Sequence, residues 1–299
     1  MRCVLARSDF PSLSALSKMV TLRQTLLDMK NKPVALITGA SSGMGKDFAL
    51  RLIAEGYTVY AAARRLDRMQ DIGQAGGLPL AMDVTDDASM VNAVSRILGE
   101  QGRIDVLINN AGYGQYGALE DVPVSEGRRQ METNLIGPAR LTQLCLPTMR
   151  AQGHGRIFNI SSIGGKLAAP LGGWYHASKF ALEGYSDALR NEVRRFGIDV
   201  VVIEPGGIAS EWSGIATDEA QKHSGAGAYA ALVKRFGTLQ KDMRRLPAPR
   251  VISDLVVKAL RAKRPRARYH GGFLAGPLLF LRRLLSDRLF DLVVSSAFR

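Results

Sequence analysis

Residues 34–45 read VALITGASSGMG, and this stretch decides the fold. Val34–Thr38 is a continuous run, as expected of a strand buried on both faces. The chain from Gly43 to Glu55 then reads as a helix, with Phe48, Ala49, Leu52 and Ile53 on one side and Gly56 as its stop. Between them, Gly39 permits a turn directly after the strand. Gly43 and Gly45 let backbone and helix approach a pyrophosphate, to which the helix N-terminus offers free N–H groups and partial positive charge. The spacing is G-x-x-x-G-x-G rather than G-x-G-x-x-G, but it follows a buried strand and opens a helix, the context such a loop requires. Gly39, Ser41, Ser42, Gly43, Met44 and Gly45 are therefore candidate cofactor contacts.

Outward from this unit the pattern repeats. Strands are expected at Thr58–Ala63, Leu78–Met82, Val106–Asn109, Ile157–Ile160 and Asp199–Ile203, with helices near 86–99, 125–151 and 174–196. Strands alternating with helices imply parallel strands joined by crossovers. The expected fold is a single α/β domain, a doubly wound parallel sheet of about seven strands with helices on both faces. It is expected to span residues 32–271. Residues 207–248 break the rhythm, being rich in Gly, Ala and charge, and read as an irregular connection, a candidate substrate lid. Residues 250–263 read as helix, and residues 272–299 as one basic amphipathic helix beginning near Leu278.

The second strand ends Ala61-Ala62-Ala63-Arg64-Arg65. In a dinucleotide fold this edge reads the adenosine ribose: an acid accepts from the 2′-OH of NAD, whereas arginine pairs with the 2′-phosphate of NADP. The turn carries no acid and two arginines, with Asp67 slightly late. The expectation is NADP(H) over NAD(H), with Arg64 leading and Arg65 beside it. The competing reading is that the arginines only start a solvated helix.

Composition sets bounds on function. A hydrophobic share of 46% and a charged share of 22% suit a soluble globular domain. The net charge of +13 is uneven: residues 31–240 carry 21 basic and 21 acidic residues, and the excess lies at the ends, with 14 basic against four acidic residues in 241–299. The neutral middle argues against nucleic-acid binding, while the basic end could meet phosphates or acidic lipid. No stretch reaches the ~18 apolar residues of a membrane span. Residues 1–31 read as an N-terminal extension: a flexible tail, a weak targeting segment, or sequence upstream of a start at Met19 or Met29. Two cysteines, Cys3 and Cys145, form neither a disulfide framework nor a metal cluster, which suggests a reducing, cytoplasmic setting. No metal is expected.

Further motifs follow in order: Asn109-Asn110-Ala111-Gly112 after the fourth strand, Ser161-Ser162 after the fifth, Tyr175-His176-Ala177-Ser178-Lys179 thirteen residues beyond Ser162, and Pro205-Gly206 after the sixth. With the glycine loop, they resemble the short-chain dehydrogenase/reductase family over roughly residues 32–271. Tyr175–Gly184 (YHASKFALEG) is closest to its hydroxysteroid and retinol dehydrogenase branch. The resemblance implies Tyr175 as acid/base, Lys179 as its activator, Ser162 as the carbonyl-orienting hydroxyl, and Asn134 as the anchor of a proton-relay water. It also implies Asp83 and Val84 at the adenine, Asn110, Ala111 and Gly112 beside the cofactor, and Pro205, Gly206 and Ile208 at the nicotinamide. Where the family usually has Thr, this chain has Ser210, which keeps the hydroxyl. Tyr175 and Lys179 would then also contact the cofactor, and a homodimer or homotetramer is expected.

The chemistry follows from these residue types. Tyr175 and Lys179 stand four apart on a helix and share a face, and Ser162 ends a neighbouring strand, where open parallel sheets put their ligands. A phenol of ordinary pKa ~10 is a poor base near neutrality. A unit charge ~4 Å away at an effective dielectric of ~20 contributes about 4 kcal/mol, enough to lower that value by up to about three pH units. Ser162 can donate to a carbonyl oxygen as charge develops. His176 is expected to point elsewhere and receives no role.

Tyr113, Tyr116, Leu167, Trp174 and Trp212 are candidates to line an apolar, aromatic substrate pocket, with core packing as the alternative for each. The reading is an NADP(H)-dependent oxidoreductase of a carbonyl or secondary alcohol on an apolar substrate. Two alternatives stand beside it: a catalytically silent NADP-binding regulator or scaffold, and a lipid ketone reductase held peripherally on a membrane by its basic C-terminus.

Overall fold

The computed structural model describes residues 32–242 and 246–298, so the expectations for residues 1–31 lie outside the described residues. Seven strands, β1 (Val34–Thr38), β2 (Thr58–Ala63), β3 (Leu78–Ala81), β4 (Val106–Asn109), β5 (Gly155–Ile160), β6 (Ile198–Pro205) and β7 (Arg268–Gly271), form one sheet in the order β3-β2-β1-β4-β5-β6-β7. Every pairing is parallel. β7 completes the expected count at a place the sequence pattern leaves unmarked, in an arginine-rich stretch.

On one face, α1 (Gly43–Ala54) and α9 (Arg250–Arg261) pack Phe48, Leu52, Ile252 and Val256 against β1 and β6. On the other, α3 (Asp87–Gln101), α5 (Gly137–Gln152) and α6 (Gly173–Val193) bring Val94, Ile97, Leu141 and Leu189 against Leu36, Leu107 and Ile157. Each such side chain, fully buried, contributes about 1.5–3 kcal/mol. Sharp helix ends hold the layers in register. Asp86 caps α3 by accepting from Ala88 N (3.0 Å) and Ser89 N (3.3 Å), and Gly102 ends it at φ 70°. The short helix α2 (Gln70–Gln74) closes the β2–β3 connection.

Three sequence expectations change. The helix expected over 125–151 is α4 (Val124–Met131) and α5 joined by a π-helical stretch, Glu132–Ile136, which widens the coil at Asn134. Among the described residues, 207–248 are largely helical. They fold as α7 (Trp212–Ser224) and α8 (Ala230–Asp242), small residues such as Ala216 and Ala220 being buried. The C-terminal segment is two helices, α10 (Ala275–Leu284) and α11 (Asp287–Ala297), because Leu285 and Ser286 are extended and Asp287 pairs back to Arg282 at 2.8 Å. Among the described residues, no helix is long and apolar enough to cross a membrane.

Candidate active site

The strand order reverses between β1 and β4, and their C-terminal loops are tied together. Thr38 Oγ1 accepts from Asn110 N (3.0 Å) and Ala111 N (2.9 Å), and Asn110 Nδ2 donates to Thr38 O at 2.9 Å. A crevice at such a switch point is where doubly wound folds bind ligands, and a cavity of about 750 Å³ opens here. Gly39 stands at φ +67°, and a Cβ there would meet Ala111 Cα at 2.9 Å. A Cβ on Gly45 would collide with the Gly39 carbonyl. Gly45 thus packs the loop, while Gly39, Ser41, Ser42, Gly43 and Met44 line the cavity. Ser42 occupies the N-cap of α1 without a side-chain cap bond, leaving first-turn N–H groups for an anion. Asp83, Val84, Asn110, Ala111, Gly112 and Ser210 also line this cavity, and so does Tyr113, which the sequence assigns to the substrate instead.

Arg64 and Arg65 stand at the edge. Arg64 Nη1 lies 3.8 Å from Asp83 Oδ2, whereas Arg65 Nη2 reaches Ser41 Oγ in the glycine loop at 3.4 Å. Glu211, which the sequence reading misses, crosses from the start of α7 to Arg68 (2.9 Å) and Arg65 (3.8 Å). The uncapped helix and the glycine turn fit the pyrophosphate of a dinucleotide.

Beyond this cavity, Ser162, Tyr175, Lys179 and Asn134 converge. Ser162 Oγ accepts from Gly164 N at 3.0 Å, capping the Ile163–Gly165 turn, and lines the same cavity as Tyr175. Lys179 Nζ donates to Ile160 O at 2.8 Å. Asn134 Nδ2 donates to Tyr113 O (3.0 Å) and to Ser178 Oγ (3.1 Å), and its Oδ1 accepts from Tyr113 N (3.2 Å). A Cβ on Gly112 would come within 3.0 Å of Asn134 Oδ1 and 3.8 Å of Lys179 Nζ, so these groups share one wall.

The electrostatics differ from the sequence expectation. Burial pushes the Tyr175 phenol up to about 12, with the nearby Ser162 hydroxyl pulling it down. Burial also pulls Lys179 down to about 8, while the Glu183 carboxylate resists. Desolvation of both groups thus works against the attraction by which lysine, helped by the oxidised nicotinamide, was expected to bring the phenol toward neutrality.

A second cavity, of about 330 Å³, adjoins the first and shares Met44, Ser210 and Trp212 with it. Tyr175, Ser162, Pro205, Gly206 and Ile208 form its floor, with Tyr116, Leu167 and Trp212 among its apolar walls. The Tyr116 ring stacks on Phe236 at 5.0 Å and meets Trp212 edge-on at 5.5 Å. Trp174 lies outside both cavities: its indole packs against Gly127 of α4, one position around the helix from Tyr175. His176 corrects the expectation in the other direction. It lines this cavity, accepts from Ala169 N through Nε2 (3.1 Å), and so presents Nδ1–H to Gly164 O (3.0 Å). Phe273, Leu278 and Phe298 close the cavity from the C-terminal segment.

Comparison with known proteins meets this geometry. A family model described as short chain dehydrogenase matches residues 33–221. The chain belongs to the short-chain dehydrogenase/reductase family. It is 37% identical over 270 residues to a probable short-chain type dehydrogenase/reductase of Helicobacter pylori, covering 87% of this chain and 97% of that one. It is 40% identical over 235 residues to a 3-ketodihydrosphingosine reductase of Bacteroides thetaiotaomicron, covering 78% and 85%. A metagenomic short-chain oxidoreductase solved in complex with NADP superposes with a TM-score of 0.56 at 34% identity, covering 58% of this chain and 82% of that one. As a short-chain dehydrogenase/reductase, the protein is an oxidoreductase of CH–OH/C=O groups.

Proposed function

We propose that the protein is an NADP(H)-dependent carbonyl reductase, or the reverse secondary-alcohol dehydrogenase, acting on an apolar substrate. The observation that carries this reading is that Ser162 and Tyr175 stand together on the floor of an apolar cavity that adjoins the arginine-edged one. The NADP preference is supported by Arg64 and Arg65 at the cavity edge and by the NADP complex of the metagenomic relative. A lipid-like ketone is favoured among apolar substrates by the aromatic and aliphatic walls and by the sphingoid-ketone activity named for the Bacteroides relative.

When bound, the nicotinamide supplies or accepts the hydride. The protein's own groups handle charge and protons. The α1 N-terminus takes the pyrophosphate, and Arg64 and Arg65 take the 2′-phosphate. Ser162 donates to the carbonyl oxygen as negative charge develops, and Tyr175 delivers the proton to it. A phenol held at about 12 is well protonated at neutral pH, which suits the role of acid. Lys179 stabilises the phenolate left behind, and Asn134 fixes the backbone beside the path by which it is reprotonated. The walls formed by Tyr116, Trp212 and Phe236 exclude water.

NADPH oxidation followed over long-chain, steroid-like and aryl ketones, with Tyr175→Phe as control, tests the reading. Turnover lost in the variant is expected. NADPH binding without turnover of any ketone would favour a silent regulator instead.

A further inference from the structure

Beneath the catalytic group lies a buried ionic cluster that no step above uses. Glu183 stands one helical turn beyond Lys179 on α6, and both are buried. Glu183 Oε2 meets Lys166 Nζ at 2.8 Å and the Arg268 guanidinium of β7 at 2.9 Å, while its Oε1 has no hydrogen-bond partner among the described residues. Glu204, at the end of β6, faces the same guanidinium at 3.4 Å, and its Oε1, like Glu183 Oε1, has no hydrogen-bond partner among the described residues. Arg268 also holds Asp187 at 2.7 Å, which in turn pairs with Arg190 at 2.7 Å. The turn carrying Ser162 seals the cluster: a Cβ on Gly165 would come within 3.0 Å of Glu183 Cγ and 3.1 Å of Lys179 O.

Glu183, one helical turn beyond Lys179, is the charged group that acts on it, with Tyr175 one turn before; Lys166 after the Ile163–Gly165 turn, Glu204 on β6 and Arg268 on β7 surround Glu183, with Asp187 and Arg190 behind them. In a water-poor interior, an ammonium survives only beside a compensating charge. We propose that Glu183 is a positioning residue for the reaction: pinned by Lys166 and Arg268, it keeps the Lys179 ammonium charged where it serves Tyr175. The inference rests on the reductase reading above. It assigns Glu183 to Lys179 rather than to the substrate. Lys166 and Arg268 decide how much of its charge Lys179 feels.

The test is kcat/KM for carbonyl reduction from pH 6 to 10 with saturating NADPH, for wild type, Glu183→Gln, Glu183→Asp and Lys166→Gln. The same titration is read without turnover from 15N-lysine resonances, with Lys179 assigned through Lys179→Arg. Glu183→Gln is expected to move the alkaline break and the Lys179 resonance down by about one pH unit, a tenfold loss above the break. Glu183→Asp restores much of this shift. Lys166→Gln, which uncovers the Glu183 charge, moves both upward. If Glu183→Gln fails to fold by circular dichroism, Lys166→Gln carries the decision. A Lys179 titration unmoved in every folded variant overturns the proposal, whether or not the enzyme turns over. Wild type inactive on every ketone, with a Lys179 titration that does move, overturns the reductase reading alone.

Discussion

Glu211 Oε1 lies 2.9 Å from Arg68 Nη1, joining the first turn of α7 to the arginine-rich turn after β2 at the rim of the larger cavity. The same carboxylate stands 3.8 Å from Arg65, so it occupies guanidinium groups that a 2′-phosphate would need. Both side chains are largely exposed, and such a pair is worth about 0–1 kcal/mol. Glu211→Gln removes a like charge from the phosphate's neighbourhood. It is expected to tighten NADPH binding about three- to fivefold at low salt and to leave NADH unchanged. Fluorescence titration of both cofactors at two salt concentrations checks this; equal tightening of NADH would refute it.

The two cavity arginines should differ in weight. Arg64 leans on Asp83, whereas Arg65 reaches into the glycine loop at Ser41. A charge-assisted bond to phosphate is worth about 1.5–3 kcal/mol. Arg65→Ala is thus expected to lower kcat/KM with NADPH by roughly tenfold or more, and Arg64→Ala by less, with NADH little affected in either. This order reverses the weight that the sequence alone suggests, and steady-state kinetics with both cofactors decides it.

Reduction needs the Lys179 ammonium and a protonated Tyr175. With Tyr175 near 12 and Lys179 near 8, the lysine loses its proton first as pH rises. Carbonyl reduction should hold level at neutrality and fall above about pH 8. Tyr175→Phe is expected to lower kcat by about 10²–10⁴-fold at every pH. A rate that kept rising through pH 9 would contradict this assignment.

What the sequence made legible follows from what local chemistry can demand. The loop from Gly39 to Gly45 was readable because a turn at φ +67° and the contact of Gly45 with the Gly39 carbonyl admit no side chain. Ser162, Tyr175 and Lys179 were legible through the resemblance to the family, since Ser-Ser after a strand, or Tyr and Lys four apart on a helix, carries no such meaning alone. α7 and α8 were not, since Gly214 and Gly237 interrupt their pattern and Ala216 and Ala220 give little apolar contrast. Trp174 and His176 flank Tyr175 equally closely in sequence. Their fates diverge because α4 covers one and the loop after Ser162 folds over the other. Glu211, Phe273 and Phe298 join the cavities through contacts between distant segments, which no periodicity encodes.

His176 fastens the loop that carries Ser162. Its Nε2 accepts from Ala169 N–H, which requires a neutral ring, and burial lowers its pKa below the ordinary histidine value. A native state that resists protonation loses stability as pH falls through the unfolded value of ~6.5, and keeps it fully above. His176→Ala leaves the Ala169 N–H and the Gly164 carbonyl without these bonds. It should cost about 1–3 kcal/mol and lower kcat more than it raises KM for NADPH. Thermal melts from pH 5 to 8 should also show a weaker acid-side loss in this variant than in wild type.

Glu204 should act in the opposite sense. Burial, with the neighbouring Glu183 charge, raises its carboxyl to about 7, against the partial relief given by Lys166 and Arg268. The unfolded chain titrates near the ordinary ~4.5. Between those values the folded protein holds a proton that the unfolded chain has released, so the contribution is complete below ~4.5 and is lost as pH rises through about 7. At about 1.4 kcal/mol per pH unit, the loss reaches at most roughly 3.5 kcal/mol. Glu204→Gln keeps the shape and the neutral state at every pH. Its melting temperature should match wild type near pH 4.5, exceed it increasingly up to pH 7, and keep a constant lead above. A lead that was the same at pH 4.5 and pH 8 would mean that Glu204 does not carry the proton in the folded protein.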